Sequence, residues 1–156
     1  MNIVLNTSPI IFLGKIQCLD VLNQCVDQIS VPQQVIDELG DESLPDCIQI
    51  KSLSASSSAY VQGALGRLHE GELAAMALAQ ELSADFVVLD DLLARKKAQH
   101  LGLKVIGTVG LLLLMKKRHQ LNAEQVWQHL TDLTQEHGMY LSPALMETVK
   151  QKLFIP

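Results

Sequence analysis

Oxygen-bearing side chains recur just after the apolar runs of this sequence. Ile3-Val4-Leu5 stops at Asn6-Thr7-Ser8, and Phe86-Val87-Val88-Leu89 stops at Asp90-Asp91. Thr108 follows Lys104-Val105-Ile106, Glu38 lies in the segment after Gln28-Ile29-Ser30-Val31, and Glu70 and Glu72 open an alanine-rich stretch. Every donor in this set is an oxygen. Hard cations such as Mg²⁺ and Mn²⁺ prefer oxygen, and Mg²⁺ is typically held by one or two carboxylates with water and substrate phosphate completing its shell. No histidine or cysteine spacing suits zinc. His69, His100, His119, His129 and His137 have no partner pattern and read as surface or structural. Ser8 lacks the G-x-S-x-G setting of an activated serine. Gly107-Thr108-Val109-Gly110 lacks the order of a phosphate-binding loop.

Each acidic residue also has a plain structural explanation. Glu70 and Glu72 suit the first turn of a helix through the macrodipole. Asp90-Asp91 before a helix supplies an N-cap, and Glu38 reads as a solvated helix residue. Taken together these explanations weaken, because open α/β sheets place ligands outside the carboxyl ends of their strands.

The elements that must position these groups alternate between strand and helix patterns. Short apolar runs fall at 3–5, 28–31, 86–89 and 104–106, with Ile48 to Ile50 as an edge strand. Ser8 before Pro9 reads as a cap with proline at the first helical position. Pro32 opens a helix that Gly40 ends. Gly71 to Leu82 has apolar residues at helical spacing and abundant alanine. Leu92 to His100 and Leu111 to Arg118 are helical, Asn122 caps a helix, and Ser142-Pro143 starts the last one. Ser52 to Ser58 reads as a loop between two halves of one domain. The alternation predicts an α/β fold with a parallel sheet covered on both faces.

The chain has 156 residues, enough for one domain with a real core. Aromatic residues are 4%, so Leu, Val, Ile and Ala must build that core. The net charge of −5 excludes nucleic-acid binding by overall charge alone and requires a local patch or metal ions. Six of the 12 Lys and Arg residues lie in Arg95-Lys96-Lys97 and Lys116-Lys117-Arg118. Both triplets suit solvated helix ends, and both suit phosphate contacts; Arg95 lies one turn after Asp91. Cys18, Cys25 and Cys47 read as free thiols in a reducing cytoplasm. No secretory signal is recognisable, and the longest apolar runs, such as Val109 to Met115, are too short to cross a membrane.

The opening Ile3-Val4-Leu5-Asn6-Thr7-Ser8-Pro9-Ile10-Ile11 resembles the first strand and turn of PIN-domain proteins, in a branch of PIN-like nucleic-acid-binding proteins and toxin ribonucleases. Residues 31–39, 68–79, 87–95 and 102–110 resemble further blocks of that branch in the same order. The resemblance spans almost the whole chain, 1–156, as a single PIN-like domain. It implies a three-layer α/β/α fold around a mainly parallel sheet and a Mg²⁺- or Mn²⁺-dependent ribonuclease. It also implies RNA as substrate, a homodimer, and a small antitoxin protein as partner if the chain is the toxin of a toxin–antitoxin pair. The family's acidic set falls on Asn6, Glu38, Glu72 and the pair Asp90 and Asp91, with Asp91 the favoured member of the pair. Asn6 departs from the aspartate usual in active relatives: its amide oxygen can ligate Mg²⁺ but carries no charge and accepts no proton.

The reading is thus phosphodiester hydrolysis of single-stranded RNA. Glu38, Glu72, Asp90 and Asp91 hold the metal and carry catalysis, while Asn6, Ser8 and Arg95 position the metal shell or the phosphate. The alternative is a catalytically degenerate PIN-like module that binds nucleic acid or protein. A receiver-like phosphoacceptor fits less well, because the paired aspartates follow a late strand.

Overall fold

Each strand-like run becomes a strand, and all five strands are parallel. The computed structural model describes residues 1–155. Strand β1 (Asn2–Leu5) lies at the centre, flanked by β2 (Gln28–Pro32) and β4 (Phe86–Val88). The edges are β3 (Ile48–Lys51) and β5 (Val105–Ile106), giving the order β3-β2-β1-β4-β5. The chain therefore winds outward from β1 through β2 to β3, then returns across the sheet to build β4 and β5. The two directions diverge between β1 and β4, and such a reversal opens a crevice at the carboxyl ends of the strands. The register pairs Leu5 with Val88, so the residues after both strands emerge side by side.

Side chains alternate across the sheet with the strand period of two. Ile3, Leu5 and Val88 enter one apolar cluster, while Val4, Val87 and Leu89 enter another. The first cluster takes buried residues from α1 (Thr7–Lys15), α2 (Leu19–Asn23), α3 (Gln33–Leu39), α7 (Thr108–Lys117), α8 (Ala123–Glu136) and α9 (Pro143–Phe154). The second takes them from α5 (Glu70–Leu82) and α6 (Leu92–His100). A third, small cluster joins α4 (Ala55–Ala64), through Val61, to α5. Helices on both faces of a parallel sheet make a three-layer α/β/α architecture. Helix α5 can lie so deep because alanine dominates it, and all nine residues from Gly71 to Ala79 are buried.

Three element boundaries differ from the sequence reading. The serine stretch 52–58 is not a loop: Ser54 caps α4 by accepting the Ser57 N–H (3.2 Å), and the following serines sit in the first turn. Serine favours such cap positions, and its low helix propensity hides the helix beyond. Helix α1 begins at Thr7 rather than at Pro9, with Asn6 in the cap position. Pro9 is tolerated there because first-turn N–H groups have no intrahelical partner. Helix α7 begins at Thr108, and Gly110 lies inside it; a Cβ there would meet Ile106 Cγ1 at 2.5 Å, so glycine permits this close approach of helix to strand.

All three cysteines are free; Cys18 and Cys25 are buried and Cys47 is half-buried. Burial pushes the Cys18 thiol up to about 11, which makes it an inert core residue. Among the described residues no helix is long and apolar enough to cross a membrane.

Candidate metal and phosphate site

Three helix N-termini meet over the β1–β4 crevice. Asn6 occupies the cap position of α1, His69 that of α5 and Asp91 that of α6. Their first turns aim partial positive charge at one cleft, which favours anions there and lets carboxylates gather. Asn6, Thr7 and Ser8 line this cleft from the end of β1. Glu38 reaches it from α3, Glu72 from α5, and Asp91 and Leu93 from the end of β4 and the start of α6. Arg67 and His69, on the loop before α5, complete the wall.

The hydrogen bonds show which atoms are already committed. Glu38 is a brace: its Oε2 accepts from Thr7 Oγ1 (2.6 Å) and its Oε1 from the Gly71 N–H (2.7 Å), tying α3 to α1 and α5. Glu72 Oε1 accepts the His69 N–H (3.1 Å), and Asp91 Oδ2 accepts the Ala94 N–H (2.9 Å). Glu72 and Asp91 are therefore helix-capping groups, as their positions suggested, and they also face the cleft. Each keeps an oxygen that these bonds do not use. Asn6 is different. Its side chain makes no capping bond despite its cap position, the residue is only 5% exposed, and its Oδ1 has no hydrogen-bond partner among the described residues. A buried acceptor left unpaired is costly, so one in a native cleft calls for an explanation.

Charge is concentrated in the same place. The Glu72 carboxyl is pushed above its ordinary 4.5, first by burial and then by the nearby charges of Asp91 and Glu38; the His69 N–H offsets part of this. A cation would relieve both the repulsion and the orphaned Asn6 oxygen, so a hard divalent ion fits the donor set. Among the described residues no three Asp, Glu, His or Cys side chains converge as a metal cluster. A cation here would therefore take at most two carboxylates with the Asn6 amide, leaving the rest of its shell to water and substrate oxygens, as Mg²⁺ commonly does.

Two residues expected at the site stand apart from it. Asp90 turns away from the cleft and caps α7, with Oδ1 accepting the Thr108 N–H (2.8 Å) and Oδ2 the Thr108 hydroxyl (2.7 Å). Arg95 donates from its guanidinium to Leu89 O (3.0 Å) and does not line the cleft. A Cβ on Gly107 would press on both, at 2.8 Å from Arg95 Nη1 and 3.0 Å from Asp90 Oδ1, so this corner is closely packed. No motif marks Arg67 or His69 as functional. They precede Glu72 by five and three residues in a short connection, and only the packing of α5 against the sheet brings them to the cleft.

Gly71 matters for the same reason as Glu38. A Cβ at this position would stand inside the Glu38 carboxylate, 2.6 Å from its Cδ. Gly71→Ala is expected to expel Glu38 and break both of its hydrogen bonds. The stability cost of about 1 kcal/mol per bond is partly offset by the better helix propensity of alanine. Metal binding, followed by Mn²⁺ titration, should weaken roughly 10- to 100-fold, as when a group supporting a ligand is lost. Unchanged Mn²⁺ affinity would show that Glu38 does not support the site.

Comparison with known proteins agrees with this architecture. A family model described as a PIN domain (DUF3368) matches residues 2–154. No curated protein matches the chain. Among solved structures, the chain is similar to a PilT N-terminus domain protein, SSO1118, from the hyperthermophilic archaeon Sulfolobus solfataricus P2. The TM-score is 0.51 with 21% identity, over 74% of this chain and 93% of that one, a likeness of fold.

Proposed function

The chain belongs to the PIN-domain family, and we propose that it is a divalent-metal-dependent endoribonuclease acting on single-stranded RNA. PIN domains are in general nuclease-like, nucleic-acid-binding modules that depend on divalent metal, and the match over 2–154 supports treating residues 1–156 as one such domain. The observation that carries the reading is the Asn6 oxygen: buried, unpaired, and set beside Glu72 and Asp91 in a cleft whose carboxylates repel one another.

Asn6 Oδ1, Glu72 and Asp91 would hold the cation, with Mg²⁺ and Mn²⁺ the ions suited to this oxygen set. The cation would supply charge neutralisation on the phosphate and activation of a water. Glu38 keeps α1, α3 and α5 in register around the cleft through its two bonds. The exposed Ser8 hydroxyl, in the first turn of α1, is a donor for a phosphate oxygen. Leu93, 41% exposed, puts an apolar side chain on the cleft wall. An unstacked base can rest on such a surface, which favours a single strand over a duplex. The role of toxin in a toxin–antitoxin pair, with a small antitoxin as partner and a homodimer as the assembly, belongs to the same proposal and rests on the family resemblance alone.

A second reading is a PIN-like module that binds RNA or protein without cutting it. The uncharged Asn6 and the absence of three converging carboxylates among the described residues favour it. Incubating a mixed-sequence single-stranded RNA with the protein in Mn²⁺, Mg²⁺ or EDTA separates the two. The nuclease reading predicts cleavage in Mn²⁺ or Mg²⁺ and none in EDTA. RNA binding without turnover in either metal would establish the module instead.

A further inference from the structure

We infer that Arg67 is the residue that grips the phosphodiester of the substrate and positions the strand in the cleft; the inference rests on the nuclease reading and names the substrate's anchor. Arg67 is the one Lys or Arg that lines the cleft among the described residues, and it is exposed on the loop between α4 and α5. Three carboxylates share that cleft, yet the guanidinium is not spent on them: the one ion pair among the described residues joins the N-terminal amine to Asp27. Four of the neighbouring donors are spent. The Thr7 hydroxyl and the Gly71 N–H hold Glu38, the His69 N–H holds Glu72, and the Ala94 N–H holds Asp91. What remains, besides the single hydroxyl of Ser8, is an uncommitted planar fork of donors at the mouth of an acidic cleft, a geometry that matches two oxygens of one phosphate.

The basic triplets cannot take this role. Arg95 is held by Leu89 O, and Lys96 borders a separate groove with Gln99 and His100. Lys116 and Lys117 close the far end of α7, a helix of ten residues, about 15 Å from its Asp90-capped N-terminus, and no residue of α7 lines the cleft. In a chain of net charge −5 an RNA strand approaching three carboxylates meets repulsion, so a single well-placed arginine carries a large part of the short-range attraction.

The test is the salt dependence of binding to a fluorescein-labelled single-stranded RNA, measured by anisotropy. Ca²⁺ replaces Mg²⁺, and the strand is checked for integrity afterwards. Arg67→Ala is expected to weaken binding about tenfold at low salt and to lower the slope of log K against log salt by about 0.7, the loss of one phosphate contact to a single strand. Arg67→Lys should restore the slope but only part of the affinity, because a point charge replaces the fork. Lys117→Ala, the same charge removed elsewhere, should change neither. An Arg67→Ala slope equal to wild type, or an equal loss in Lys117→Ala, overturns the assignment. If the wild type cuts RNA and Arg67→Ala leaves the slope intact, the Arg67 inference alone fails. If the wild type neither binds nor cuts, the nuclease reading fails with it.

Discussion

Replacing Asp91 by asparagine is expected to lower cleavage by at least about a hundredfold, because the site then keeps one charged ligand of two and loses several kcal/mol of charge stabilisation. The fold should survive. Asp91 caps α6 through one carboxylate oxygen on the Ala94 N–H, and asparagine presents an amide oxygen in the same place with equal capping preference. A change of about 0.5 kcal/mol or less corresponds to roughly 1–2 °C in Tm for a domain of this size. The comparison with Asp90→Asn sharpens the result. Asp90 holds the N-terminus of α7 through Thr108, so its replacement should act on stability more than on turnover. Equal loss of activity in both variants, at equal Tm, would show that the two neighbours share the metal and that the division between them is wrong.

Glu72→Gln should do the opposite to stability and the same to metal binding. The Glu72 carboxyl is raised above 4.5 by burial and by the charges of Asp91 and Glu38. The native state thus holds this proton more tightly than the unfolded chain does. Its contribution to stability is full below the unfolded value and is lost as pH rises through the raised native value. Above that window the metal-free protein carries the whole penalty of a buried, repelled charge. Glutamine removes the charge while its amide oxygen can still accept the His69 N–H. Melting in EDTA should therefore show the variant more stable than wild type at neutral pH, with the advantage shrinking as pH falls through the raised native value and gone below 4.5. Added Mn²⁺ should reverse the order. At a hundred times its Kd a cation stabilises the wild type by about 2.7 kcal/mol, or roughly 5–10 °C, and Glu72→Gln should lose most of that gain. A variant that is less stable than wild type in EDTA at neutral pH would show that Glu72 serves the fold and is not held in tension for a ligand.

The sheet was legible because its strands are short apolar runs that stop at polar residues, and the alternation of run and helix pattern dictates parallel pairing. Helix α5 was legible from alanine and helical spacing to within a residue. What escaped depends on geometry beyond the local pattern. Asp90 and Asp91 are adjacent and chemically alike, but the chain leaves β4 so that one faces α7 and the other the cleft; residue types carry no trace of that direction. Asn6 announced itself as an odd ligand, and its missing capping bond is visible only in three dimensions. Arg67 lies in a connection without any motif, whereas the more conspicuous basic triplets lie on α6 and at the end of α7, away from the cleft lining. The serine stretch hid a helix because cap chemistry and loop chemistry use the same residue.

An anomalous difference map from crystals soaked in MnCl₂ would locate the cation itself. A manganese peak is expected in the cleft within coordination distance of Asn6 Oδ1, Glu72 and Asp91, about 2.0–2.5 Å from each oxygen, with Asp90 still bound to Thr108. A cleft without manganese at saturating concentration, or a peak on Asp90 instead, would contradict it.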